Sequence, residues 1–161
     1  MLAALVLASA LSAAAPSGPA AETPAVDTAT LTVKVAHVSP KGGKISLALY
    51  TAANYEDDDH PTLSRDVPAD PAGTTIVISG LKPGVYAVKM MQDINENGKF
   101  DTSWLGLPLE PYGFSNNAKP FLSAPSFDST KFTVAPGDNT ITIRLSGTDG
   151  ISVPKRKEPV K

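Results

Sequence analysis

An oxygen-rich loop that begins at Asp93 has the residue types and spacing to hold a hard metal ion. Carboxylate and amide side chains alternate with other residues through this loop, and Gly98 stands at its sixth position. Ca²⁺ takes six to eight oxygen ligands, which alternate side chains of a curling loop supply while glycine permits the sharp turn. The loop therefore predicts a calcium site. Its candidate ligands are the side chains of Asp93, Asn95, Asn97 and Asp101 and the backbone carbonyl of Lys99.

This loop lacks part of a calcium-binding motif. An EF-hand places a bidentate carboxylate at the twelfth position, where this chain has Trp104, and no helical pattern flanks the loop. By charge alone, Glu110, Asp128 or the run 57–59 are candidates for the missing ligands. Two of the four side-chain ligands are amides, so we expect a dissociation constant on the order of 10⁻⁴–10⁻³ M. A loop held by hydrogen bonds alone is the alternative, because Asp, Asn and Gly also favour turns.

A long segment, 102–126, follows this loop and contains aromatic side chains among Gly and Pro. Ordered long loops are often functional, and aromatic side chains beside amides can stack on sugar rings or on a peptide. The simpler expectation is that the aromatic side chains, including Phe121, fold back and cap one end of the domain. The candidate ligand-contacting residues are Trp104, Tyr112, Phe114, Asn116 and Asn117.

The elements that position these residues are β-strands. Between 30 and 146 the apolar residues recur with a period of two, and no helical periodicity is visible. Strands are predicted at 31–36, 45–50, 74–79, 85–92, 131–134 and 140–145. We expect the first two strands to form one hairpin and the last two to form another. Short strands separated by Gly/Pro turns indicate an all-β, antiparallel two-sheet sandwich of about seven strands, with a closed barrel as the alternative.

The two ends of the chain predict export and a solvated terminus. Residues 1–15 are an apolar run that ends in small residues, typical of a signal peptide, although no Lys or Arg precedes the run. A Pro/Ala-rich linker at 16–29, the sandwich domain at 30–146 and a basic disordered tail at 147–161 follow. The apolar run is too short to span a membrane, so the mature chain is predicted to be periplasmic or secreted without a transmembrane segment.

Several short motifs carry a resemblance to known families. The turn Gly-Leu-Lys-Pro-Gly-Val-Tyr at 80–86 resembles that of transthyretin-like and other immunoglobulin-like domains of bacterial surface proteins. The chain from 30 to 145 resembles the bacterial domain-of-unknown-function family 2141, a group of exported proteins with sandwich folds. This resemblance implies the fold and the location but no activity. Its motifs are Met-Gln-Asp at 91–93, Trp-Leu-Gly at 104–106, Tyr-Gly-Phe-Ser-Asn-Asn-Ala at 112–118 and Pro-Ser-Phe at 125–127.

Composition excludes several classes of function. The net charge of −2 gives no field that would attract nucleic acid, and the absence of cysteine excludes disulfides and thiolate chemistry. His37 and His60 are the only histidines, and no catalytic or nucleotide-binding motif is present. The sequence therefore predicts a protein that is not an enzyme.

Three functions remain open. The first is a non-catalytic binding or structural module of the bacterial envelope, with a glycan or protein ligand and with calcium organising the aromatic segment. The second is a glycan-active enzyme that uses Asp101 and Glu110 as its carboxylate pair. The third is an adhesin-like module whose edge strands pair with a partner.

Overall fold

The computed structural model of the protein describes residues 28–121 and 123–146. The predicted signal peptide, almost all of the predicted linker and the predicted basic tail lie outside these residues. The first strand begins at Ala29, close to the predicted start of the domain at residue 30.

Two β-sheets form the domain, as the apolar pattern predicts. One sheet has the strand order β4-β1-β8, and the other has the order β3-β2-β5-β6, with β7 also paired to β5. The described residues also include a 3₁₀ turn at Ser115–Asn117 and a single-turn helix, α1, at Phe127–Thr130, neither of which was predicted. No helix in these residues is long and apolar enough to cross a membrane. The strands are β1 (Ala29–Ala36), β2 (Lys44–Tyr50), β3 (Leu63–Pro68), β4 (Thr74–Leu81), β5 (Gly84–Asp93), β6 (Tyr112–Phe114), β7 (Phe132–Val134) and β8 (Gly137–Arg144).

The core lies between the sheets and confirms the predicted sandwich. Alternate residues of β1 and β2 are buried, because successive side chains of a strand point to opposite faces of its sheet. Both sheets contribute to one apolar cluster. Its most deeply buried members include Leu31, Val33, Ile78 and Ile143 from the first sheet and Ile45, Leu47, Leu49 and Val88 from the second.

The predicted hairpin between the first two strands is wrong. β1 pairs with β4 and β8, whereas β2 pairs with β3 and β5 in the other sheet. The connection at 37–43 is longer than a tight hairpin turn, so it can cross from one sheet to the other. The buried amide of Gln92 holds this crossing, because it accepts a hydrogen bond from Ser39 N (2.7 Å) and donates to the carbonyls of Ser39 (2.9 Å) and Gly42 (2.8 Å).

The predicted C-terminal hairpin is also wrong. β7 pairs with β5, and β8 pairs with β1 in a parallel arrangement, so the sandwich is not purely antiparallel. Between these strands only Ala135 and Pro136 carry the chain from one sheet to the other. The Asn139 amide stabilises this crossing, because it accepts a hydrogen bond from Ala135 N (2.9 Å) and donates to Ala135 O (2.7 Å).

Two strands lie in segments that the sequence predicted to be loops. β3 lies in the polar stretch 51–73 and forms the edge of the larger sheet, where Ser64, Arg65 and Asp66 are exposed. Because most side chains of this edge strand are in water, its sequence shows no regular apolar alternation and did not predict a strand. β6 lies within the segment 102–126 and has only three residues, too few to show a period.

Ser115 joins the two short strands that lie end to end along β5. β7 pairs with 84–86 and β6 pairs with 89–91, which leaves a gap at Ala87 and Val88. The Ser115 hydroxyl oxygen accepts a hydrogen bond from Val88 N at 2.9 Å, and the hydroxyl group donates to Thr130 O at 2.5 Å. A side chain thus replaces the missing strand backbone.

We expect Ser115→Ala to lower the free energy of unfolding by about 1–3 kcal/mol, because the buried Val88 N–H and Thr130 carbonyl both lose their partner. Urea denaturation monitored by circular dichroism measures this loss. The matched control is Ser64→Ala on the exposed edge strand, which should change the free energy by less than about 0.5 kcal/mol. Equal losses in the two variants would contradict the bridging role of Ser115.

Candidate functional site

One buried carboxylate fixes both ends of the loop at 94–101. Glu110 is only 3% exposed, and its Oε1 accepts a hydrogen bond from Ile94 N at 2.9 Å. Its Oε2 accepts a hydrogen bond from Asp101 N at 3.1 Å. Since a buried carboxylate is stable only when it is hydrogen-bonded, Glu110 acts as a clasp that closes the loop.

A second buried carboxylate forms the centre of the same loop. Asp93 is fully buried at the end of β5, and its carboxylate accepts hydrogen bonds from Asn97 N (3.1 Å) and Gly98 N (2.7 Å). The Lys44 ammonium lies 3.9 Å from Asp93 Oδ2 and supplies an opposite charge. Gly43 packs against the Asp93 backbone so closely that an added Cβ would lie 2.2 Å from its carbonyl oxygen. The chain therefore curls tightly around Asp93.

The four side chains predicted as calcium ligands converge. Asn97 N donates to Asp93 Oδ1 and to Asn95 Oδ1, both at 3.1 Å, so these two oxygens lie side by side. The Asn95 amide donates to Asp101 Oδ2 at 2.6 Å, and the Asn97 amide lies 3.1 Å from both Asp101 oxygens. Lys99 N donates to Asn97 Oδ1 at 2.8 Å. The sequence spacing thus places these groups together.

Most of the acidic residues considered as additional ligands lie elsewhere. Asp58 pairs with Lys89 at 2.8 Å, and Asp128 pairs with Lys131 at 2.6 Å. Glu110 does reach the loop, but both of its oxygens bind backbone N–H groups. Within 28–121 and 123–146, no group of three or more His, Asp or Glu side chains is arranged to hold a metal.

The donor set still fits an oxygen-preferring cation. It comprises two carboxylates and two amides. In the structure the amide oxygens of Asn95 and Asn97 accept hydrogen bonds from Asn97 N and Lys99 N, so their NH₂ groups face the Asp101 carboxylate. Calcium would have to displace these amide–carboxylate hydrogen bonds to reach the Asp101 oxygens. The set does not suit zinc, which prefers nitrogen and sulfur.

A β-hairpin projects from this loop at 101–109. Leu109 N donates to Asp101 O at 2.9 Å, and Ser103 N donates to Leu107 O at 2.8 Å. The chain reverses in a turn that Gly106 closes with positive φ, because Gly106 N donates to Ser103 O at 2.9 Å. The Glu110 clasp directly follows the second arm, so the hairpin rises from a fixed base.

The end of this hairpin is apolar and faces outward. We call its four large side chains the apolar tip, and no charged residue lies between 102 and 109. Among the aromatic residues expected to cap the domain, Trp104 instead projects from it. Trp104 was predicted as a ligand contact, whereas the three leucines were not, because the apolar run Trp-Leu-Gly-Leu-Pro-Leu at 104–109 does not show whether it is buried or exposed. The tip consists of Trp104 (78% exposed), Leu105 (62%), Leu107 (47%) and Leu109 (39%).

Of the other aromatic residues in and beside this segment, some pack against one another and one is largely exposed. Tyr112 stacks edge-to-face on Phe100 at 5.8 Å and on Phe114 at 6.0 Å between ring centroids. Tyr112 and Phe114 are half-buried, and Phe100 is 43% exposed. Tyr112 and Phe114 thus pack with Phe100 along β6, and neither is part of the apolar core cluster. The predicted capping is wrong for Phe121, which is 84% exposed.

The two asparagines predicted as ligand contacts bind backbone in this structure. The Asn116 amide donates to Lys131 O at 2.8 Å. The Asn117 amide accepts from Arg144 N at 2.8 Å and donates to Thr142 O at 3.3 Å, as a neighbouring strand would do along the edge of β8. Both residues have positive φ, which Asn tolerates better than most residues. Their geometry serves the fold.

A concave region lies on another part of the surface, and no residue of the hairpin lines it. An open groove there is lined in part by Tyr55, Lys89, Lys119 and Phe121. The Lys89 ammonium lies 4.1 Å from the Tyr55 ring centroid and donates to Tyr55 O and to Asp58. These contacts tie the segment after β2 to the sheet, so Lys89 is already committed within the fold.

Tyr50 at the end of β2 and Asp57 in the segment after it have shifted pKa values. Burial, together with the charges of Asp58 and Asp57, raises the pKa of Tyr50 to about 12. The hydrogen bond from His60 lowers the pKa of Asp57. Neither group lies in the loop or the hairpin, so both shifts belong to the packing of this segment.

Comparison with known proteins confirms the family that the motifs predicted. The model of a family described as "Uncharacterized protein conserved in bacteria (DUF2141)" matches residues 33–142, which is more than half of the chain. The chain belongs to this family. No curated protein and no solved structure matches it. For this DUF2141 domain, the site's geometry is therefore the basis for any statement about function.

We expect Glu110→Gln to lower the free energy of unfolding by about 1–3 kcal/mol, because an amide has one acceptor oxygen and would turn its NH₂ group toward a backbone N–H. Hydrogen exchange at Ile94 and Asp101 should become faster. Glu96→Gln removes a carboxylate from an exposed position of the same loop and is the control. Unchanged exchange at both amides in Glu110→Gln would contradict the clasp.

Proposed function

We propose that this domain is a non-catalytic binding module whose recognition element is the apolar tip. The exposure of Trp104 and Leu105 carries the proposal, because adjoining large apolar side chains on a protein surface mark interaction sites. Water contact with such side chains is unfavourable, so an acceptor that covers them gains their burial.

The base of the hairpin favours binding because it is fixed before any ligand arrives. Glu110 holds both ends of the preceding loop, and Asp93 holds its middle. A recognition element that is already ordered loses less conformational entropy on binding. The loop thus supports the hairpin, and the hairpin provides the contact surface.

The positions of the carboxylates do not support a glycan-active enzyme. A glycosidase needs two carboxyl groups that face the scissile bond from opposite sides. Here Glu110 is buried and accepts a hydrogen bond from the backbone of Asp101, while the Asp101 carboxylate faces two amides. Both groups serve the loop.

Pairing through an edge strand also has little support. The edge strand β3 carries Arg65 and Asp66 on its exposed positions, and charged side chains at an edge oppose pairing with another chain. Part of the β8 edge is covered by the Asn117 amide.

We also propose that the loop takes up calcium and that the domain is exported. The convergence of Asp93, Asn95, Asn97 and Asp101 supports the first proposal. The apolar leader at residues 1–15 supports the second. Calcium in the periplasm or outside the cell would stiffen the support on which the hairpin stands.

The wild-type domain should cosediment with an insoluble bacterial envelope fraction, and Trp104→Ser combined with Leu105→Ser should reduce the bound fraction at least tenfold. The reason is that these two side chains supply most of the exposed apolar surface of the tip. Phe121→Ser removes an equally exposed aromatic side chain elsewhere and should bind as the wild type does. Equal retention of all three proteins, or no retention of the wild type, would overturn the proposed function.

Calcium at about 10 mM should stabilise the folded domain by about 1.4–2.7 kcal/mol if the dissociation constant is on the order of 10⁻⁴–10⁻³ M. Thermal unfolding should then shift upward by several degrees relative to a chelator. Asp101→Asn keeps a similar shape and should abolish the shift, while Asp138→Asn at a distant exposed position should retain it. No shift in the wild type would refute the calcium proposal.

A further inference from the structure

We infer that the apolar tip inserts into the interfacial region of a lipid bilayer. This inference rests on the proposed binding function and names its partner as a lipid surface. It is carried by the composition of the tip, its shape, its reach and the placement of charge at its base.

The composition of the tip favours lipid over a protein partner. Protein hot spots are rich in Trp, Tyr and Arg, and leucine is under-represented in them. The tip instead combines one tryptophan with three leucines, and the run 102–109 contains no charged residue. Tryptophan prefers the membrane–water interface, and Trp and Leu form the apolar face of elements that lie in it.

The shape of the tip also favours a fluid acceptor. Trp104 and Leu105 lie at the outer turn of a hairpin, so they form a projection and not a groove. A rigid partner would need a matching cavity, whereas lipid chains rearrange around an inserted side chain. The tight turn closed by Gly106 keeps the two side chains together at the end.

The reach of the hairpin matches the depth of the interface. The turn begins at Ser103, two residues after Asp101, and each strand residue advances the chain by about 3.3 Å, which gives roughly 7 Å. Elements that lie in the interface bury their apolar face by about 5–10 Å. The tip can therefore enter this region while the loop at 93–101 stays at the surface.

The charges at the base do not oppose this approach. Glu110 is buried, and the Asp101 carboxylate is held by the amides of Asn95 and Asn97. Lys99 and Glu96 are both exposed on the supporting loop, so its fully exposed side chains carry one charge of each sign. The ammonium of Lys99 suits the phosphate groups of phospholipids, which lie above the apolar layer.

Trp104 is the only tryptophan of the chain, so its fluorescence reports directly on the tip. Titration of the full chain with phosphatidylcholine vesicles should shift its emission to shorter wavelength. Lipids brominated on their acyl chains should quench it. Both effects should persist in high salt, because apolar insertion is not screened by ions.

Leu105→Ser combined with Leu107→Ser leaves the reporter in place and should weaken the lipid affinity at least tenfold. Phe121→Ser should titrate as the wild type does, since it removes an exposed aromatic side chain away from the tip. Thermal unfolding of each variant checks that the fold is retained, and the exposed positions should leave the midpoint nearly unchanged.

Absence of an emission shift in the wild type at millimolar lipid would overturn the inference. If the domain still bound envelope material through Trp104 and Leu105, the binding function would stand and the partner would be a protein or a glycan. If envelope binding were also lost, the proposed function would fail with it. Quenching that the leucine double variant shares with the wild type would also overturn insertion by the tip.

Discussion

The hydrogen bonding of one buried carboxylate decides how the functional end of this domain is built. Glu110 accepts the backbone N–H groups of Ile94 and Asp101, which lie at opposite ends of a loop. An unpaired buried charge is very unfavourable, so the Glu110 carboxylate can be buried only where these two backbone N–H groups reach it. The hairpin that ends at Leu109 starts and finishes at this clasp, so its direction follows from the same two bonds.

Two consecutive polar residues at the end of the central strand, β5, fix other connections of the fold by the same kind of buried hydrogen bonding. Gln92 binds the connection that crosses between the sheets, and Asp93 binds the turn of the loop. Both side chains are fully buried, and the connections supply their partners. The sandwich core thus ends in a polar layer that fixes two connections.

The sequence predicted part of the site well. The spacing of Asp93, Asn95, Asn97 and Asp101 brings their side chains together because they are close in the chain and a tight turn leaves few arrangements. Glu110, in contrast, entered only as one of several acidic candidates, since its contact with Ile94 spans sixteen residues. The exposure of the leucines beside Trp104 could not be predicted either, because an apolar run reads the same whether it lies in a core or on a projecting hairpin.

The sequence by itself determined the fold class and which residues form the core, because a period of two states which side of a strand is apolar. The motifs in the sequence also predicted the bacterial family, and the family match confirms it. Only the tertiary structure decided which strands are neighbours: two predicted hairpins are crossings between sheets, and β8 lies parallel to β1. Apolar alternation satisfies either pairing, so the choice depends on contacts between distant residues, such as the hydrogen bond from the Gln92 amide to the Ser39 carbonyl, which spans 53 residues.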